Sequence, residues 1–206
     1  AWADGRFAQE VVPIEVPQRK GDPVSVTEDE GIRPDSTAES LGKLRAIMKG
    51  GVVTAGNASQ QNDAAAACLI VAEDKLDQLG LTPEAFLVGW AAAGCAPSHM
   101  GIGPVPATER VMARSGLKLD AMDLIEVNEA FACQVLSVLQ SWGLQSDDAR
   151  LNVNGSGISL GHPIGATGSR IMTTLLHEMR RRGARYGLET MCIGGGQGMA
   201  AIFESA

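Results

Sequence analysis

Strand-like and helix-like segments alternate from residue 82 to the end of the chain, and this alternation is what most limits the possible folds. Five apolar segments are typical of strands, and three segments between them have helical periodicity. The last two strand-like segments are joined by GGQG, which indicates an antiparallel hairpin. We therefore expect an α/β fold in which a mixed five-stranded sheet is covered by helices on both faces. The predicted strands are residues 85–94, 123–127, 151–154, 190–194 and 199–205, and the predicted helices are residues 106–116, 129–142 and 166–182.

The first 81 residues differ in composition from the rest of the chain, because they are polar and rich in turn-forming residues up to residue 50. Such a segment cannot bury a core by itself. Its short apolar stretches predict two strands, one amphipathic helix and a further strand, while one run is compatible with either a strand or a helix. These segments are, in that order, residues 10–16, 23–29, 39–48, 51–56 and 66–71.

The composition excludes several classes of protein. A net charge of −7 argues against a general binder of nucleic acid or of anionic membranes, although a local basic patch remains compatible with it. The four cysteines are widely spaced and form no CxxC pair, so we expect reduced thiols, no metal site and a cytoplasmic location. No apolar run has the length of a membrane span. The chain begins AWADGRF, and we expect it to be a piece of a longer protein.

Asn128 follows the predicted strand DLIEV directly and precedes the helix that starts with EAFACQ. An asparagine at such a junction is a common helix N-cap, and this structural role explains the residue completely. In α/β folds, however, the loops after the carboxyl ends of strands are also where ligands bind. The sequence around Asn128 alone leaves both interpretations open.

His162 lies in the glycine-rich stretch NGSGISLGHPIGATG, residues 154–168. Glycines allow the backbone to approach a ligand closely, Pro163 stiffens the turn, and the following helix directs free N–H groups towards the loop. Neither nucleotide-binding template fits, because no lysine follows Gly161 and Gly155-Ser156-Gly157 lacks the third glycine of GxGxxG. A lone histidine is more often structural, which is how we interpret His99 and His177.

Cys192 stands at the end of a predicted strand and is followed by three glycines. Bare backbone amides beside a thiol can stabilise an oxyanion, and a close ligand explains three consecutive glycines better than packing does. A buried, inert thiol is the alternative, and we assign that role to Cys68, Cys95 and Cys133. An amide, an imidazole and a thiol on loops at one end of a sheet could stabilise a carbonyl oxyanion while a proton moves.

Three motifs of the chain together resemble the thiolase family, which comprises acetyl-CoA acetyltransferases and 3-ketoacyl-CoA thiolases. The resemblance extends upstream through VVTAGNASQQNDAAAA and HMGIGPVPA, so that it covers nearly the whole chain but only the C-terminal half of a thiolase. Asn154-Gly155-Ser156 stands where many members have NGG. The three motifs are VNEAFA (127–132), GHPIGATG (161–168) and CIGGGQG (192–198).

The resemblance implies a role for each residue of these loops. In the family, a nucleophilic cysteine from the N-terminal half carries the acyl group as a thioester, which coenzyme A or a second acyl-CoA resolves. By resemblance, His162 activates that nucleophile and helps to bind the thioester oxygen, and Asn128 acts on the same oxygen through a water. Cys192 protonates or deprotonates the α-carbon, and the N–H of Gly194 serves a second oxyanion hole.

The resemblance also implies coenzyme A contacts, mostly in residues 1–60, which are similar to the end of the family's loop domain. Arg33, Lys43 and Arg45 would form a basic patch for the phosphates, although three solvated surface charges are an equally good interpretation. The residues implied to contact coenzyme A or to line the thioester pocket are Arg33, Ser40, Ala55, Ser59, Met100 and Phe131.

The same resemblance predicts the domain organisation. Residues 1–60 would end the loop domain, residues 61–81 would be the last elements of the N-terminal domain, and residues 82–206 would form the C-terminal domain. No CxSG motif of the nucleophile occurs in the chain. We therefore expect the chain to be inactive alone, to need the N-terminal half of the same enzyme, and to belong to a homodimer or homotetramer.

The resulting prediction is an acyltransferase that cleaves 3-ketoacyl-CoA by thiolysis or condenses acyl-CoA with acetyl-CoA, as in fatty acid metabolism and β-oxidation. Coenzyme A and acyl-CoA are its substrates, and no bound cofactor is expected. The alternative is a non-catalytic coenzyme A binding or scaffold module with a thiolase-like fold. Ketoacyl-ACP synthases are disfavoured because they have a second histidine where this chain has Cys192.

Overall fold

The computed structural model describes all 206 residues and contains a large mixed sheet, a small two-stranded sheet and five α-helices. Short 3-10 helices cover Glu73–Lys75, Pro97–Ile102 and Leu119–Ala121. None of the helices has the length and apolarity needed to cross a membrane. The strands are β1 (Ile14–Val16), β2 (Val24–Val26), β3 (Ala85–Gly94), β4 (Leu124–Val127), β5 (Tyr186–Ile193) and β6 (Gln197–Ser205), and the helices are α1 (Ala38–Gly42), α2 (Leu76–Leu79), α3 (Pro104–Ser115), α4 (Ala132–Trp142) and α5 (Thr167–Arg182).

The large sheet is mixed, as the sequence predicts. Its strand order is β3-β6-β5-β4, with β4 parallel to β5 and the other two pairs antiparallel. The predicted hairpin between β5 and β6 is present, with Ile193 opposite Gln197 at its closed end. Gly195 and Gly196 have φ angles of 78° and 85°, which side chains other than glycine rarely adopt. The glycines of this turn are therefore required by its backbone.

The sheet has four strands, and the prediction of five is wrong at residues 151–154. Only Leu151 pairs with β4, through an isolated bridge to Ile125. The next residue, Asn152, has a φ of 42° and leaves the strand path. Its side chain takes over the missing pairing, since Oδ1 accepts from the N–H of Val127 at 2.8 Å and Nδ2 donates to the Val127 carbonyl at 2.9 Å. Two hydrogen bonds from an amide side chain thus take the place of the backbone hydrogen bonds that a fifth strand would make with β4.

Helices cover both faces of the sheet, as predicted, because successive residues of each strand point to opposite sides. One face packs on α3 and α4 in a core that includes Val127, Leu188 and Ile202. The opposite face packs on α5 in a second core that includes Leu124 and Phe203. The two cores hold the ends of β4 and β5 rigidly between layers of helices.

Leu139→Ala should lower the free energy of unfolding by about 2–5 kcal/mol, because the side chain is 2 % exposed within the core under α4. Leu136 lies on the same helix with 54 % of its surface exposed, and Leu136→Ala should change stability by no more than about 0.5 kcal/mol. Urea unfolding of both variants measures the difference. Equal losses would contradict the packing of α4 on the sheet.

The first 81 residues contain less regular structure than their apolar patterns predict. The hairpin of β1 and β2 is present within the predicted segments. The helix predicted for 39–48 stops at Gly42, because the chain then turns back and the N–H of Ile47 donates to Val53 at 2.8 Å. The strand predicted at 51–56 is reduced by this turn to the isolated bridge between Ala46 and Thr54.

Residues 66–71 form neither of the elements compatible with their sequence. Leu69 and Ile70 are 77 % and 83 % exposed, and no strand of the chain pairs with them. An apolar run of this kind gains regular structure only when a neighbouring strand or helix covers it. The prediction of an element at this position is therefore not supported within this chain.

Candidate functional site

The three loops singled out from the sequence meet at one rim of the large sheet. Asn128 continues the parallel pairing of β4 with β5, since its N–H donates to the carbonyl of Thr190 at 3.0 Å. Asn128 therefore lies opposite Met191, and Cys192 is one residue further along the neighbouring strand. The spacing of parallel strands puts the Cα atoms of Asn128 and Cys192 about 6 Å apart. His162 reaches the same rim from the loop before α5, where its ring meets Asn128.

Asn128 is not a helix cap. Helix α4 begins three residues beyond the predicted start, with Phe131 at the N-cap and no side-chain cap. The Asn128 side chain is fully buried, and its Nδ2 lies 3.4 Å from Nε2 of His162. Its Oδ1 has no hydrogen-bond partner within the chain. A buried amide that faces an imidazole and keeps one free oxygen is suited to hold a bound water or ligand.

The tautomer of His162 follows from its second neighbour, Thr167. The Thr167 hydroxyl lies 2.9 Å from the Pro163 carbonyl and 2.6 Å from Nδ1 of His162, and we assign its single hydrogen to the carbonyl, so that the same oxygen accepts from Nδ1. Nδ1 therefore carries the proton, and Nε2 presents its lone pair towards the amide of Asn128. A ring fixed in this way can accept a proton at Nε2 and then donate it without changing orientation.

The electrostatic environments of His162 and Cys192 favour the neutral form of both side chains. Burial, and then the positive charge of Arg170, lower the pKa of the His162 imidazole below its ordinary value. Burial raises the pKa of the Cys192 thiol. Near neutral pH the site thus combines a neutral base with a protonated acid, which is the pairing that moves a proton in either direction.

Gly194 begins the turn after Cys192, and its backbone N–H donates to no group of the chain. The turn is held in place by the N–H of Cys95, which donates to the carbonyl of Gly196 at 2.8 Å. A Cβ at Gly196 would stand 2.5 Å from the carbonyl oxygen of Cys95, so the turn packs too closely for any side chain there. A free N–H on such a rigid turn is a preorganised donor for an oxyanion.

The end of the predicted loop domain runs directly along this site. The N–H of Ser59 donates to the carbonyl of Ala130 at 2.9 Å, and the N–H of His162 donates to the carbonyl of Gln60 at 3.1 Å. Ser59 therefore lies beside Phe131, the next residue after Ala130. Two of the residues implied to contact coenzyme A are thus brought next to the amide and the imidazole.

The remaining residues implied to contact coenzyme A form no hydrogen bond with Asn128 or His162. Met100 is in the 3-10 helix Pro97–Ile102, which packs on α4, and its carbonyl lies 3.9 Å from Sγ of Cys95. Ala55 is exposed beside α1, and the Ser40 hydroxyl is engaged in the capping box of that helix. Arg33 is exposed and has no ion-pair partner.

The predicted basic patch is only partly available for a ligand. Lys43 forms an ion pair with Glu39, whereas Arg33 and Arg45 are exposed and unpaired. Exposed ion pairs contribute little to stability, so Lys43 could exchange its partner for a phosphate at small cost. No group of three or more His, Cys, Asp or Glu side chains could hold a metal ion.

Several residues that shape the site were missed in the sequence. Thr167 fixes the imidazole from five positions away, a spacing that no regular periodicity indicates. Glu129, inside the motif VNEAFA, accepts from Nδ2 of Asn152 at 2.9 Å and from the N–H of Ile158 at 3.2 Å, and so ties the His162 loop to β4. Glu126, which lies beneath the site, was also missed, although the sequence contained a signal for it: it is a charged residue in the otherwise apolar segment LIEV.

Two carboxylates lie side by side beneath the site, because Glu126 of β4 is in register with Glu189 of β5. Glu126 is only 2 % exposed, and one oxygen of each carboxylate is buried without a partner. Burial raises the pKa of Glu126 from 4.5 to about 8 and that of Glu189 to about 8. The folded chain therefore keeps these groups protonated where the unfolded chain would release the protons.

Glu126→Gln should become more stabilising, relative to the natural residue, as the pH rises from about 5 to 8. Across this window the folded state binds a proton that the unfolded state has lost, so Glu126 lowers the free energy of unfolding with increasing pH, by up to about 1.4 kcal/mol per unit. Glutamine cannot ionise and removes this dependence. Urea unfolding at pH 5, 6.5 and 8 measures the change, with exposed Glu109→Gln as control. A stability difference independent of pH would contradict the prediction.

Comparisons with known proteins match one family along the chain. The family description "Thiolase, C-terminal domain" matches residues 81–205, and "Thiolase, N-terminal domain" matches residues 1–74. An acetyl-CoA acetyltransferase of Chromobacterium violaceum is 54 % identical over 201 residues, which are 97 % of this chain and 51 % of that protein. The chain spans about half the length of the relatives it matches.

Solved structures agree with this match. The acetyl-CoA acetyltransferase of Bacillus anthracis superposes with a TM-score of 0.96 at 44 % identity, covering 100 % of this chain and 52 % of that one. Human mitochondrial 3-ketoacyl-CoA thiolase in complex with CoA superposes with a TM-score of 0.89 at 46 % identity, covering 100 % and 51 % of the two chains.

Proposed function

The chain belongs to the thiolase family, and we propose that it supplies the acid–base half of a thiolase active site that acts on 3-ketoacyl-CoA. The observation that carries this proposal is the arrangement of His162, whose protonated Nδ1 is held by Thr167 while Nε2 faces the amide of Asn128. Cys192, with its raised pKa, lies at the end of the adjacent strand. The nucleophilic cysteine that receives the acyl group would come from the N-terminal half of the enzyme.

In the thiolytic direction, Nε2 of His162 would take the proton of the nucleophilic thiol, which attacks the 3-keto carbon of the substrate. The N–H of Gly194 would stabilise the charge that develops on the C3 oxygen during this attack. As the bond between C2 and C3 breaks, the Cys192 thiol would give its proton to C2 and release acetyl-CoA, while the protonated Nε2 of His162 donates to the thioester oxygen of the departing acetyl-CoA. The acyl group then stays on the nucleophile. The His162 imidazolium would then return its proton to the Cys192 thiolate, so that both groups regain their neutral forms. His162 would next deprotonate coenzyme A, whose sulfur attacks the acyl-enzyme, and would give this proton to the nucleophilic cysteine as that cysteine leaves and the shortened acyl-CoA is released.

Coenzyme A binding is part of the same proposal. Support comes from the human mitochondrial neighbour, which was solved with CoA, and from the course of the chain at Ser59 beside Phe131. The exposed Arg33 and Arg45 would approach the phosphates. We further propose that the complete enzyme is cytoplasmic and assembles as a homodimer or homotetramer.

A chimera tests the proposal, in which this chain replaces the matched half of the Chromobacterium violaceum relative. The chimera should cleave acetoacetyl-CoA in the presence of coenzyme A, and the chain alone should show no turnover. Turnover by the purified chain alone, lost in Cys192→Ala, would show that no second cysteine is needed. A folded chimera that binds coenzyme A without turnover would favour the non-catalytic binding module instead.

A further inference from the structure

Arg170 occupies an unfavourable position for a cation. It lies in the first turn of α5, where the helix dipole is positive, and its side chain is half-buried. Its Nη1 is buried without a hydrogen-bond partner. A buried guanidinium at the wrong end of a helix is costly, and such violations of local preference concentrate where function requires them.

Five acidic side chains surround this charge. Glu126 and Glu189 face α5 from the sheet, Glu129 follows β4, and two further acids come from the first 30 residues. Burial raises the pKa of Glu126 and Glu189, and that of Glu10 to about 7, while Arg170 lowers the pKa of all three groups. The carboxylates that interact with Arg170 are Glu10, Asp29, Glu126, Glu129 and Glu189.

The guanidinium is also connected to the catalytic loop. Its Nη2 donates to the carbonyl of Gly161 at 3.4 Å, and Gly161 directly precedes His162. Gly161 has a φ of 125°, and a Cβ there would stand 2.4 Å from Oδ1 of Asn62. The loop is thus confined on one side by Asn62 and held on the other by Arg170.

We propose that Arg170 is a positioning residue for His162, which holds the loop through the Gly161 carbonyl and places a positive charge behind the imidazole. The role rests on the proposed function, in which His162 accepts protons from thiols. The direction of the charge effect supports it, because Arg170 lowers the pKa of His162 and so keeps Nε2 unprotonated. Acidic side chains around Arg170 interact favourably with its charge, and none of them hydrogen-bonds to the imidazole ring.

The first test is an NMR titration of the His162 imidazole in this chain, which does not depend on turnover. Arg170→Met removes both charge and contact, Arg170→Gln keeps a donor for Gly161 without the charge, and Arg170→Lys keeps the charge. The pKa of His162 should rise in the Met and Gln variants and stay close to the natural value in the Lys variant. Arg180→Gln on the exposed side of α5 is the control. Even if Arg170→Met fails to fold, the Gln and Lys variants decide the outcome.

The second test is the pH–rate profile of the chimera. In Arg170→Gln, the acidic limb should move to higher pH, so that the loss of kcat/KM at pH 6 exceeds the loss at pH 8 by about threefold or more. Arg170→Lys should restore most of the natural profile. Variants that lose stability but leave both the titration of His162 and the profile unchanged would overturn the proposal. A shifted titration in a chimera without turnover would retain this inference and reject the proposed function.

Discussion

In the chimera, His162→Ala is expected to lower kcat/KM for the thiolysis of acetoacetyl-CoA by at least about 10³-fold. General acid–base catalysis alone contributes about 10²–10⁴-fold, and the same Nε2 would also donate to the thioester oxygen. The loss should come from the missing proton acceptor, because Thr167 fixes the tautomer in which Nε2 is free to take a proton. Steady-state kinetics at pH 8 measures the effect.

The other two histidines are matched controls for this prediction. His99 lies in the 3-10 helix Pro97–Ile102 and bonds to Ser98, while His177 lies on α5 near Arg180. His99 is exposed, His177 is half-buried, and neither hydrogen-bonds to Asn128 or His162. His99→Ala and His177→Ala should therefore each retain kcat/KM within about threefold. Comparable losses in all three variants would indicate a general defect in folding and contradict the assignment to His162.

Cys192→Ala is expected to lower the overall thiolysis rate by about 10³-fold while leaving acyl transfer largely intact. The raised pKa of the buried thiol makes it a proton donor to C2, a step needed only when the C2–C3 bond breaks or forms. Exchange of labelled coenzyme A with acetyl-CoA needs His162 but no proton at carbon. This exchange should therefore persist in Cys192→Ala and disappear in His162→Ala.

The exposed cysteines control for thiol chemistry elsewhere in the chain. Cys68 and Cys133 are exposed and Cys95 is half-buried, so the expectation from the sequence that these three thiols are buried is wrong. Cys133→Ala and Cys68→Ala should both keep thiolysis and exchange at natural rates. A Cys192→Ala variant that loses exchange and thiolysis equally would assign the thiol to acyl transfer. The acid–base role at carbon would then be wrong.

The positions of the catalytic loops at the ends of strands could be predicted, because they depend on local sequence patterns. Strand periodicity and glycine-rich turns place Asn128 and Cys192 after neighbouring strands, and the structure puts them at one rim. The hairpin of β5 and β6 was equally predictable, because the positive φ angles of Gly195 and Gly196 are open mainly to glycine. Helices on both faces followed from the alternation of strands and helices.

Other features could not be predicted because they depend on partners distant in sequence. Asn152 ends the fifth strand by bonding its side chain to Val127, 25 residues earlier in the chain. The cap role considered for Asn128 is absent because α4 begins only at Ala132, and the Asn128 amide faces His162 instead. Each residue has an acceptable local role, and only the tertiary neighbours select the actual one.

The amino-acid sequence by itself determined the fold class, the two-sided packing of the sheet and the meeting of three polar loops at one rim. Those properties follow from periodicity and from the backbone freedom of glycine, which act over a few residues. Only the tertiary structure decided which nitrogen of His162 is free and why Arg170 lies buried among carboxylates. Hydrogen-bond partners and burial belong to the packed chain, because they depend on groups that come together only when the sheet, α5 and the N-terminal segment assemble.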